Sequence, residues 1–458
     1  MARPMISPAR LLTLAIALIA LACTGEPTAV DPDGLSLAKG GKPGGGSGPQ
    51  VDSVTPSYGY QGDLLSNVKV SGAGFDASAE ASWERGGVPD PKITVLATRF
   101  ISANELRADI AIAADADVSL YDVAVTVTVS GTRKKGVGIE RFEVTTAQPI
   151  ATSCTTSNAG LGVNGAGQVV GRSCDQGFFW EPGSGTVSLG VGIATDIDEA
   201  GTIIVGASWS SATAVTDGPA LLWTRSGGGW VRTELPSNGL SARANAVASD
   251  ALGNAFIIGG QVKERVKRST VNRPTLWLGS GAVWTRTQLP LPAGLSSNAS
   301  INVLDVNAAG QAVGGRVGDA VFWEPALGGG YNATRLPGTG QANGISPDGT
   351  VIVGLAGGVA VYWRRGSGTW TGPVALHAAC GGGGTAWANA VNAGGVIVGR
   401  GCGGATAWQL SGESVLELRL PGLGHNDSSQ EAWAVNDGTP ARASGNALKT
   451  AVYWDLPF

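Results

Sequence analysis

Three glycines in the C-terminal part of the chain have the spacing of a nucleotide-binding turn. Gly399, Gly401 and Gly404 follow the apolar residues "VIV" in the pattern G-x-G-x-x-G. In a dinucleotide site this turn leads into a helix whose N-terminal amides face the phosphates. Here Trp408 and the turn residues "SGES" follow at once, so no helix fits. We therefore predict a turn between strands, and no cofactor.

Acidic residues offer a second possible chemistry. In "TDIDEAG", Asp196, Asp198 and Glu199 lie close enough in sequence to suggest a calcium site. Asp198 also occupies a repeated turn position that elsewhere holds Asn164, Asn307, Asn392 and Asn436. A short polar side chain braces such a turn. Bracing is the favoured interpretation, and calcium stays open.

The two histidines do not complete a catalytic motif. No serine or cysteine nucleophile motif accompanies His377 or His425, and we interpret both as exposed loop residues. Two carboxylates could hydrolyse a glycoside, but their separation in space is not readable from sequence. The sequence therefore predicts no catalytic residue and no metal ligand, and an enzyme remains the less favoured class.

Four of the five cysteines occupy two similar pairs of positions. Cys174 and Cys402 each lie three residues beyond a repeated glycine, and Cys154 and Cys380 each precede the first strand of the same repeat. Of three possible pairings, only Cys154–Cys174 and Cys380–Cys402 join equivalent positions within a repeat. Each bridge would contribute roughly 3 kcal/mol. Zinc is the alternative, but the pairs lie in separate repeats and no histidine completes a site.

These motifs recur because about 310 residues are built from seven repeats. Each repeat contains an Asn or Asp turn (once Ser), an apolar pair ending in glycine, and a tryptophan. The repeated glycines are Gly171, Gly206, Gly259, Gly314, Gly354, Gly399 and Gly445, and the tryptophans, about 46 residues apart, are Trp180, Trp223, Trp277, Trp323, Trp363, Trp408 and Trp454. Four strand-length pieces per repeat are typical of a propeller blade.

The sequence thus predicts a seven-bladed β-propeller over residues 145–458. The last repeat ends four residues after Trp454 without a fourth strand, and alignment predicts that residues 145–150 supply it. Such pairing covers an exposed edge. The motifs "GVNGAGQVVG" and "AVNAGGVIVG" resemble the HAF-type extracellular repeats of bacterial proteins.

Composition agrees with an all-β protein. The chain has 72 glycines and 14 tryptophans, with 43% hydrophobic and only 14% charged residues. Its net charge is −4, and without residues 1–22, which carry two arginines, it is 29 − 35 = −6. This balance speaks against nucleic-acid binding.

The N-terminus has the pattern of an export signal. Arg3 and Arg10 precede an apolar run over 11–22 that is too short to span a membrane, so we predict a signal peptide over 1–22. "LIALAC" resembles a bacterial lipobox, which implies a lipid on Cys23 as the sole membrane attachment. Thr24 in place of Asp then implies the outer membrane or cell surface. An ordinary secretory signal remains the alternative. Residues 23–50 form a Gly/Pro-rich tether.

Residues 51–144 show the period-2 alternation of half-buried strands. The segment resembles the IPT/TIG immunoglobulin-like domains, which are β-sandwiches, and the resemblance implies a spacer or interaction module. It rests on Val54, Pro56, Gly59, Gly62, Gly72, Gly74, Phe75, Tyr121, Asp122, Val123, Gly131 and Phe142.

Two insertions point to a ligand. The loops between the second and third strands of repeats two and three are eight or nine residues longer than elsewhere and should lie side by side. They carry the candidate ligand-binding residues Trp209, Lys263, Arg265, Lys267, Arg268 and Arg273. Basic and aromatic side chains on an acidic protein suit an anionic polysaccharide or an acidic protein surface. A solvated hairpin is the alternative. We predict a binding or adhesion lipoprotein, with a propeller hydrolase or lyase acting on extracellular polysaccharide as the alternative.

Overall fold

The computed structural model describes residues 48–208, 218–250, 255–381, 384–424 and 429–458. Regular structure in these ranges consists of β-strands, which confirms the predicted all-β class. The predicted signal peptide and lipidated Cys23 lie outside the described residues, as do Trp209, His425 and most of the tether. Within the described ranges, no helix is long and apolar enough to cross a membrane.

Residues 50–145 form two sheets that share one hydrophobic core. One has the order β1-β3-β7-β6 and the other β2-β9-β8-β4-β5. The strands are β1 (Gln50–Thr55), β2 (Tyr58–Tyr60), β3 (Leu64–Ala73), β4 (Glu80–Arg85), β5 (Val88–Pro89), β6 (Ile93–Ser102), β7 (Glu105–Ile112), β8 (Ser119–Val129) and β9 (Thr132–Thr145). Alternate residues of β7 are buried, as a strand with one apolar face requires. Trp83, Tyr121 and Phe142 fill the space between the sheets.

The rest of the described chain forms seven four-stranded antiparallel sheets, numbered here in chain order. Sheet 1 is β11 (Asn158–Val163), β12 (Val169–Ser173), β13 (Gln176–Glu181) and β14 (Gly185–Val191); sheet 2 is β15 (Ile193–Ile197), β16 (Ile203–Ala207), β17 (Ala220–Ser226) and β18 (Gly229–Glu234). Sheet 3 is β19 (Ala242–Ser249), β20 (Phe256–Val266), β21 (Ser269–Ser280) and β22 (Val283–Gln288). Sheet 4 is β23 (Asn302–Val306), β24 (Ala312–Arg316), β25 (Asp319–Pro325) and β26 (Tyr331–Arg335).

The last three sheets follow the same pattern with one change. Sheet 5 is β27 (Gln341–Ile345), β28 (Val351–Ala356), β29 (Val359–Gly366) and β30 (Thr369–Ala375); sheet 6 is β31 (Trp387–Val391), β32 (Val396–Gly401), β33 (Gly404–Ser411) and β34 (Ser414–Arg419). Sheet 7 is β35 (Glu431–Val435), β36 (Arg442–Ala447), β37 (Thr450–Asp455) and β10 (Gln148–Pro149). The predicted use of residues 145–150 is thus confirmed at Gln148 and Pro149, which pair with Tyr453 and Val452.

Each sheet begins with a bulged strand paired to a glycine. In every sheet the pairing between the first and second strands skips one residue of the first strand, which forms a β-bulge. The skipped residues are Leu161, Thr195, Asn245, Leu304, Asn343, Asn389 and Trp433. Opposite the residue before the bulge stand Gly171, Gly206, Gly260, Gly314, Gly354, Gly399 and Gly445, where a Cβ would collide with a carbonyl oxygen of the first strand. In sheet 3 the equivalent residue is Gly260, so the assignment of Gly259 is wrong by one position, because two glycines are adjacent there.

The repeated tryptophans tie successive sheets together. Six are fully buried, and Trp180 is half-buried with its ring 5.0 Å from that of Tyr453. The indole N–H groups of Trp223, Trp277, Trp323, Trp363 and Trp454 donate to the carbonyl oxygens of Leu189, Pro236, Pro290, Pro337 and Pro421, at 2.8 to 3.0 Å. Each acceptor precedes the sheet that holds its tryptophan, so every such bond joins two neighbouring repeats.

Each sheet contacts the next one in the chain, and the last sheet contacts the first. The first strand of each sheet contacts the first strand of the next, and β35 of sheet 7 contacts β11 of sheet 1. The side-chain amide of Asn436 donates to the carbonyl oxygen of Asn164 at 2.8 Å, and the amide of Ile150 donates to the carbonyl oxygen of Ala451 at 2.7 Å. The first and last repeats are therefore direct neighbours.

Candidate functional site

Two cavities meet between the first strands of the seven sheets. One has a volume of about 520 Å³ and the other about 580 Å³. They share the seven bulge residues Leu161, Thr195, Asn245, Leu304, Asn343, Asn389 and Trp433 as lining. A bulge turns one extra side chain out of the strand pairing, and here all seven turn toward the same space. We call the first the acidic cavity and the second the basic cavity.

The polar side chains at the bulges form hydrogen bonds that connect neighbouring sheets. The Thr195 hydroxyl donates to the carbonyl oxygen of Ala244 at 2.9 Å. The amides of Asn245, Asn343 and Asn389 donate in the same way to Val303, Ala388 and Ala432, at 2.6 to 2.9 Å. Each acceptor lies in the next sheet, immediately before its bulge. This ring of side chains therefore holds neighbouring sheets in register.

Only acids carry charge in the lining of the acidic cavity. They are Asp196, Glu199, Asp250, Asp305 and Asp437. Burial raises the pKa of Asp196 to about 8, and the Asp305 carboxylate contributes to that rise. Burial also raises the pKa of Asp305 to about 7. Both side chains are therefore largely protonated at pH values at which an ordinary aspartate is ionised.

These two aspartates also connect sheets. Asp196 accepts hydrogen bonds from the amides of Ile197 at 2.9 Å and of Val247, in the next sheet, at 2.8 Å. Asp305 accepts from its own neighbour Val306 and from Ile345 of the next sheet, both at 2.8 Å. The same arrangement thus occurs in sheets 2 and 4.

The three acids of "TDIDEAG" point to different partners. Asp198 accepts hydrogen bonds from the amides of Thr202 at 2.7 Å and Ile203 at 2.5 Å, as a turn brace does. Glu199 accepts from the amide of Gly165 at 3.0 Å in sheet 1. Among the described residues, Asp196, Asp198 and Glu199 do not form a group that could hold one metal ion. Turn bracing therefore accounts for Asp198.

The basic cavity has the opposite charge. Arg172 and Arg243 line it together with Gln341, Trp387 and Trp433, and no acid does. The Arg243 Nε is buried without a hydrogen-bond partner. Burial lowers the pKa of Arg243, and the like charge of Arg172 lowers it further. In the described part of the chain, neither guanidinium has a carboxylate in ion-pair contact.

A basic hairpin begins at the rim of this cavity. Gln261 of β20 pairs with Arg243, and the Lys263 amide donates to the carbonyl oxygen of Ser241 at 2.8 Å. Beyond this point the hairpin carries the exposed side chains of Arg265, Lys267 and Arg268. Four of the predicted ligand residues, Lys263, Arg265, Lys267 and Arg268, therefore lie together on one extension of sheet 3.

Arg273 differs from those four. It is buried, donates to the carbonyl oxygen of Ser297 at 2.7 Å, and lies 3.6 Å from a carboxylate oxygen of Glu264. Arg286 contacts the same carboxylate at 3.1 Å. Arg273 therefore stabilises the base of the hairpin. The sequence does not indicate this role, because basic residues occur at both ends of the hairpin segment.

The cysteines have the predicted pairing. Cys154 and Cys174 form a disulfide with a Cα–Cα distance of 5.8 Å, and Cys380 and Cys402 form one at 5.3 Å. The turn between β32 and β33 pairs Gly401 with Gly404, so the G-x-G-x-x-G segment joins two strands, as predicted.

His377 lies in a loop, as predicted, but it is not exposed. It is half-buried, its ring stacks on Trp408 with centroids 5.9 Å apart, and its Nδ1 lies 3.7 Å from the Sγ of Cys402. His377, Cys380 and Cys402 place potential ligand atoms within 4.8 Å of one another, but the two cysteines form a disulfide. The sequence held a signal for this: Leu376–His377 replaces the Leu–Pro pair of neighbouring repeats.

Comparison of the chain with protein-family models and with curated proteins finds no match.

Proposed function

We propose that this chain is an exported, surface-anchored binding lipoprotein whose basic hairpin and basic cavity bind an anionic polysaccharide. In this proposal residues 51–144 are an IPT/TIG-like β-sandwich that serves as a spacer. Residues 145–458 are a seven-bladed propeller of HAF-like repeats, and a lipid on Cys23 retains the chain at the outer membrane.

Four observations support the propeller. There are seven equivalent sheets in the described chain, their first strands contact one another in sequence, and sheet 7 contacts sheet 1. A strand from before the first repeat completes sheet 7. Closed radial packing leaves only short, protected edges.

The paired cysteines are consistent with export to an oxidising compartment.

One observation carries the binding proposal: the strand that extends into the basic hairpin pairs directly with Arg243 of the basic cavity. The hairpin begins where Gln261 pairs with Arg243, and it projects Arg265, Lys267 and Arg268 into solvent. The protein is otherwise acidic, with a net charge of −4. A local concentration of positive charge attracts a polyanion by an interaction that salt weakens.

Binding to a polyuronate, with neutral dextran as the reference polymer, tests this proposal. The protein is the soluble chain from residue 24 onward, and the variant is Arg265→Gln with Arg268→Gln. We expect binding to polygalacturonate that weakens as salt rises, and at least a tenfold loss of affinity in the variant. Arg265 lies on an exposed strand position and Arg268 in the exposed turn of the hairpin, so both substitutions should leave folding unchanged.

The matched control is Arg133→Gln with Arg232→Gln, which removes the same charge from exposed positions away from the hairpin. Equal loss in the control would mean that only net charge matters. Equal binding by wild type and hairpin variant would make the hairpin an ordinary solvated element. Binding to an acidic protein such as serum albumin, but not to polyuronate, would favour a protein partner.

A polysaccharide hydrolase or lyase is the second candidate, and the acidic cavity favours it. Asp196 and Asp305 line one cavity with pKa values of about 8 and about 7, which suits proton donation near neutral pH. Release of new reducing ends from a glycan, abolished in Asp305→Asn, would establish this activity. Unchanged glycan length over long incubation would leave the aspartates as bracing residues.

A further inference from the structure

The most unusual side chain of the basic cavity is Arg243. Arg243 is half-buried, its Nε is buried without a hydrogen-bond partner, and the charge of Arg172 lies close enough to repel its own. Removing part of a charged group from water without a partner costs free energy, and a paired carboxylate is the usual compensation inside a protein. Among the described residues no acid supplies one to Arg243.

Acidic groups nearby are already committed elsewhere. Glu431 is buried at the same end of the strands, where it accepts hydrogen bonds from the indole of Trp387 and, at 2.8 Å, from the amide of Asn389. It does not line the cavity. Glu264 serves Arg273 and Arg286 in the hairpin. Among the described residues, no carboxylate is therefore left to complement Arg243, and an acidic ligand would supply the missing negative charge.

The remaining cavity wall suits a sugar ring rather than a bare anion. Half-buried Trp433 offers an indole face, and Leu161, Leu304 and Leu355 add apolar surface. Gln341 supplies an amide for hydroxyl groups. A volume of about 580 Å³ lies within the range of small-molecule sites. An inorganic anion would cover the guanidinium groups and leave this apolar wall in water.

We propose that the basic cavity binds one uronic acid residue, with Arg243 and Arg172 holding its carboxylate and Trp433 stacking on its ring. The planar guanidinium fork matches a carboxylate in a bidentate manner. This inference rests on the proposed function and deepens it: the hairpin attracts the polymer by charge, and the cavity recognises a single residue of it.

Titration of the soluble chain with D-glucuronate, followed by calorimetry and by tryptophan fluorescence, tests this inference. We expect binding of the monosaccharide by wild type, and at least tenfold weaker binding by Arg243→Gln. Arg243→Lys keeps the charge but loses the fork, so its affinity should be intermediate. Arg232→Gln, which removes an exposed arginine of sheet 2 outside both cavities, should bind as wild type does.

Two further probes separate the sugar from the charge. Binding of D-glucose as tight as that of glucuronate would overturn the role of the carboxylate, and equally tight binding of inorganic sulfate would overturn the role of the ring. The Tm of unliganded Arg243→Gln should equal or exceed that of wild type, because an uncompensated charge is removed. A lower Tm would mean that Arg243 is structural, and would overturn the inference.

The outcome is independent of the hairpin experiment. Polygalacturonate binding that is lost in the hairpin variant but retained in Arg243→Gln would leave the proposed function standing and overturn this site. Glucuronate binding that survives in the hairpin variant but is lost in Arg243→Gln would support the site even if polymer capture fails.

Discussion

Two aspartates show how a single residue type serves the fold and offers chemistry at once. Asp196 and Asp305 each accept one hydrogen bond from the next residue and one from the neighbouring sheet. Burial nevertheless raises the pKa of both, to about 8 and about 7. A carboxyl group whose pKa is higher in the folded than in the unfolded chain binds protons more tightly when folded. Its contribution to stability is therefore complete below about pH 4 and declines as pH rises toward 8.

We expect the double variant Asp196→Asn, Asp305→Asn to flatten this part of the pH profile. Wild type should lose at least about 2 kcal/mol of unfolding free energy between pH 5 and pH 9 relative to the variant. Urea unfolding at pH 5, 7 and 9 measures the difference. Asp109→Asn is the control, because the hydrogen bond from Arg99 holds the pKa of Asp109 at about 2. Parallel profiles for wild type and double variant would refute the assignment.

At the scale of the element, the bulged first strand and its glycine form one unit. The bulge brings the two strands so close that a Cβ on the glycine would meet a carbonyl oxygen, as at Gly354 against Gln341. The same bulge turns a side chain into the cavities. The repeated glycine is therefore required by the element that lines the two cavities.

Gly354→Ala should lower the free energy of unfolding by about 3 kcal/mol, the upper range for overpacking a strand pair. Gly366→Ala in the same sheet is the matched control, since nothing lies within 4 Å of a Cβ there and its φ is not in the left-handed region. That variant should change stability by less than about 1 kcal/mol. Chemical denaturation measures the unfolding free energy of both variants. Similar losses in the two would contradict the role of the close approach between the strands at Gly354.

At the scale of the whole molecule, the N-terminal sheets are joined to the last repeat. Glu143 of β9 is buried, and its carboxylate accepts hydrogen bonds from the amides of Gly422 and Gly424, both at 2.9 Å. The hydroxyl of Thr145 donates to the carbonyl oxygen of Gly422 at 2.7 Å. Glu143 and Thr145 shortly precede β10, the strand that completes sheet 7, so the N-terminal sheets meet the repeats beside sheet 7.

Glu143→Ala should therefore loosen this junction. Two charge-assisted hydrogen bonds are lost, and we expect a decrease in unfolding free energy of about 2–3 kcal/mol. Calorimetry should show the unfolding transition of the variant broaden or divide relative to wild type, with faster proteolysis near residue 424. Glu80→Ala, at an exposed position of the N-terminal sheets, is the control. An unchanged transition in Glu143→Ala would mean that this contact does not couple the two parts.

The amino-acid sequence by itself determined the local features of this protein. Glycine and tryptophan periodicity gave the strands and seven repeats, alternation gave the N-terminal strands, and equivalent spacing gave both cysteine pairs and the pairing of residues 148–149. Each depends on spacing along the chain. The position of the repeated glycine in sheet 3 was nevertheless predicted wrongly, because two glycines are adjacent there. Gly260, and not Gly259, pairs with the residue before the bulge.

Only the tertiary structure decided where charges meet. Arg172 and Arg243 come from different sheets, as do Asp196 and Asp305, and nothing in their spacing predicts that each pair shares a cavity. The buried state of Arg273 and the position of His377 beside Cys402 likewise depend on neighbouring segments. Burial, and with it the pKa and the availability of a charge, is a property of the surrounding chain, and a sequence pattern describes only the residue's own strand or turn.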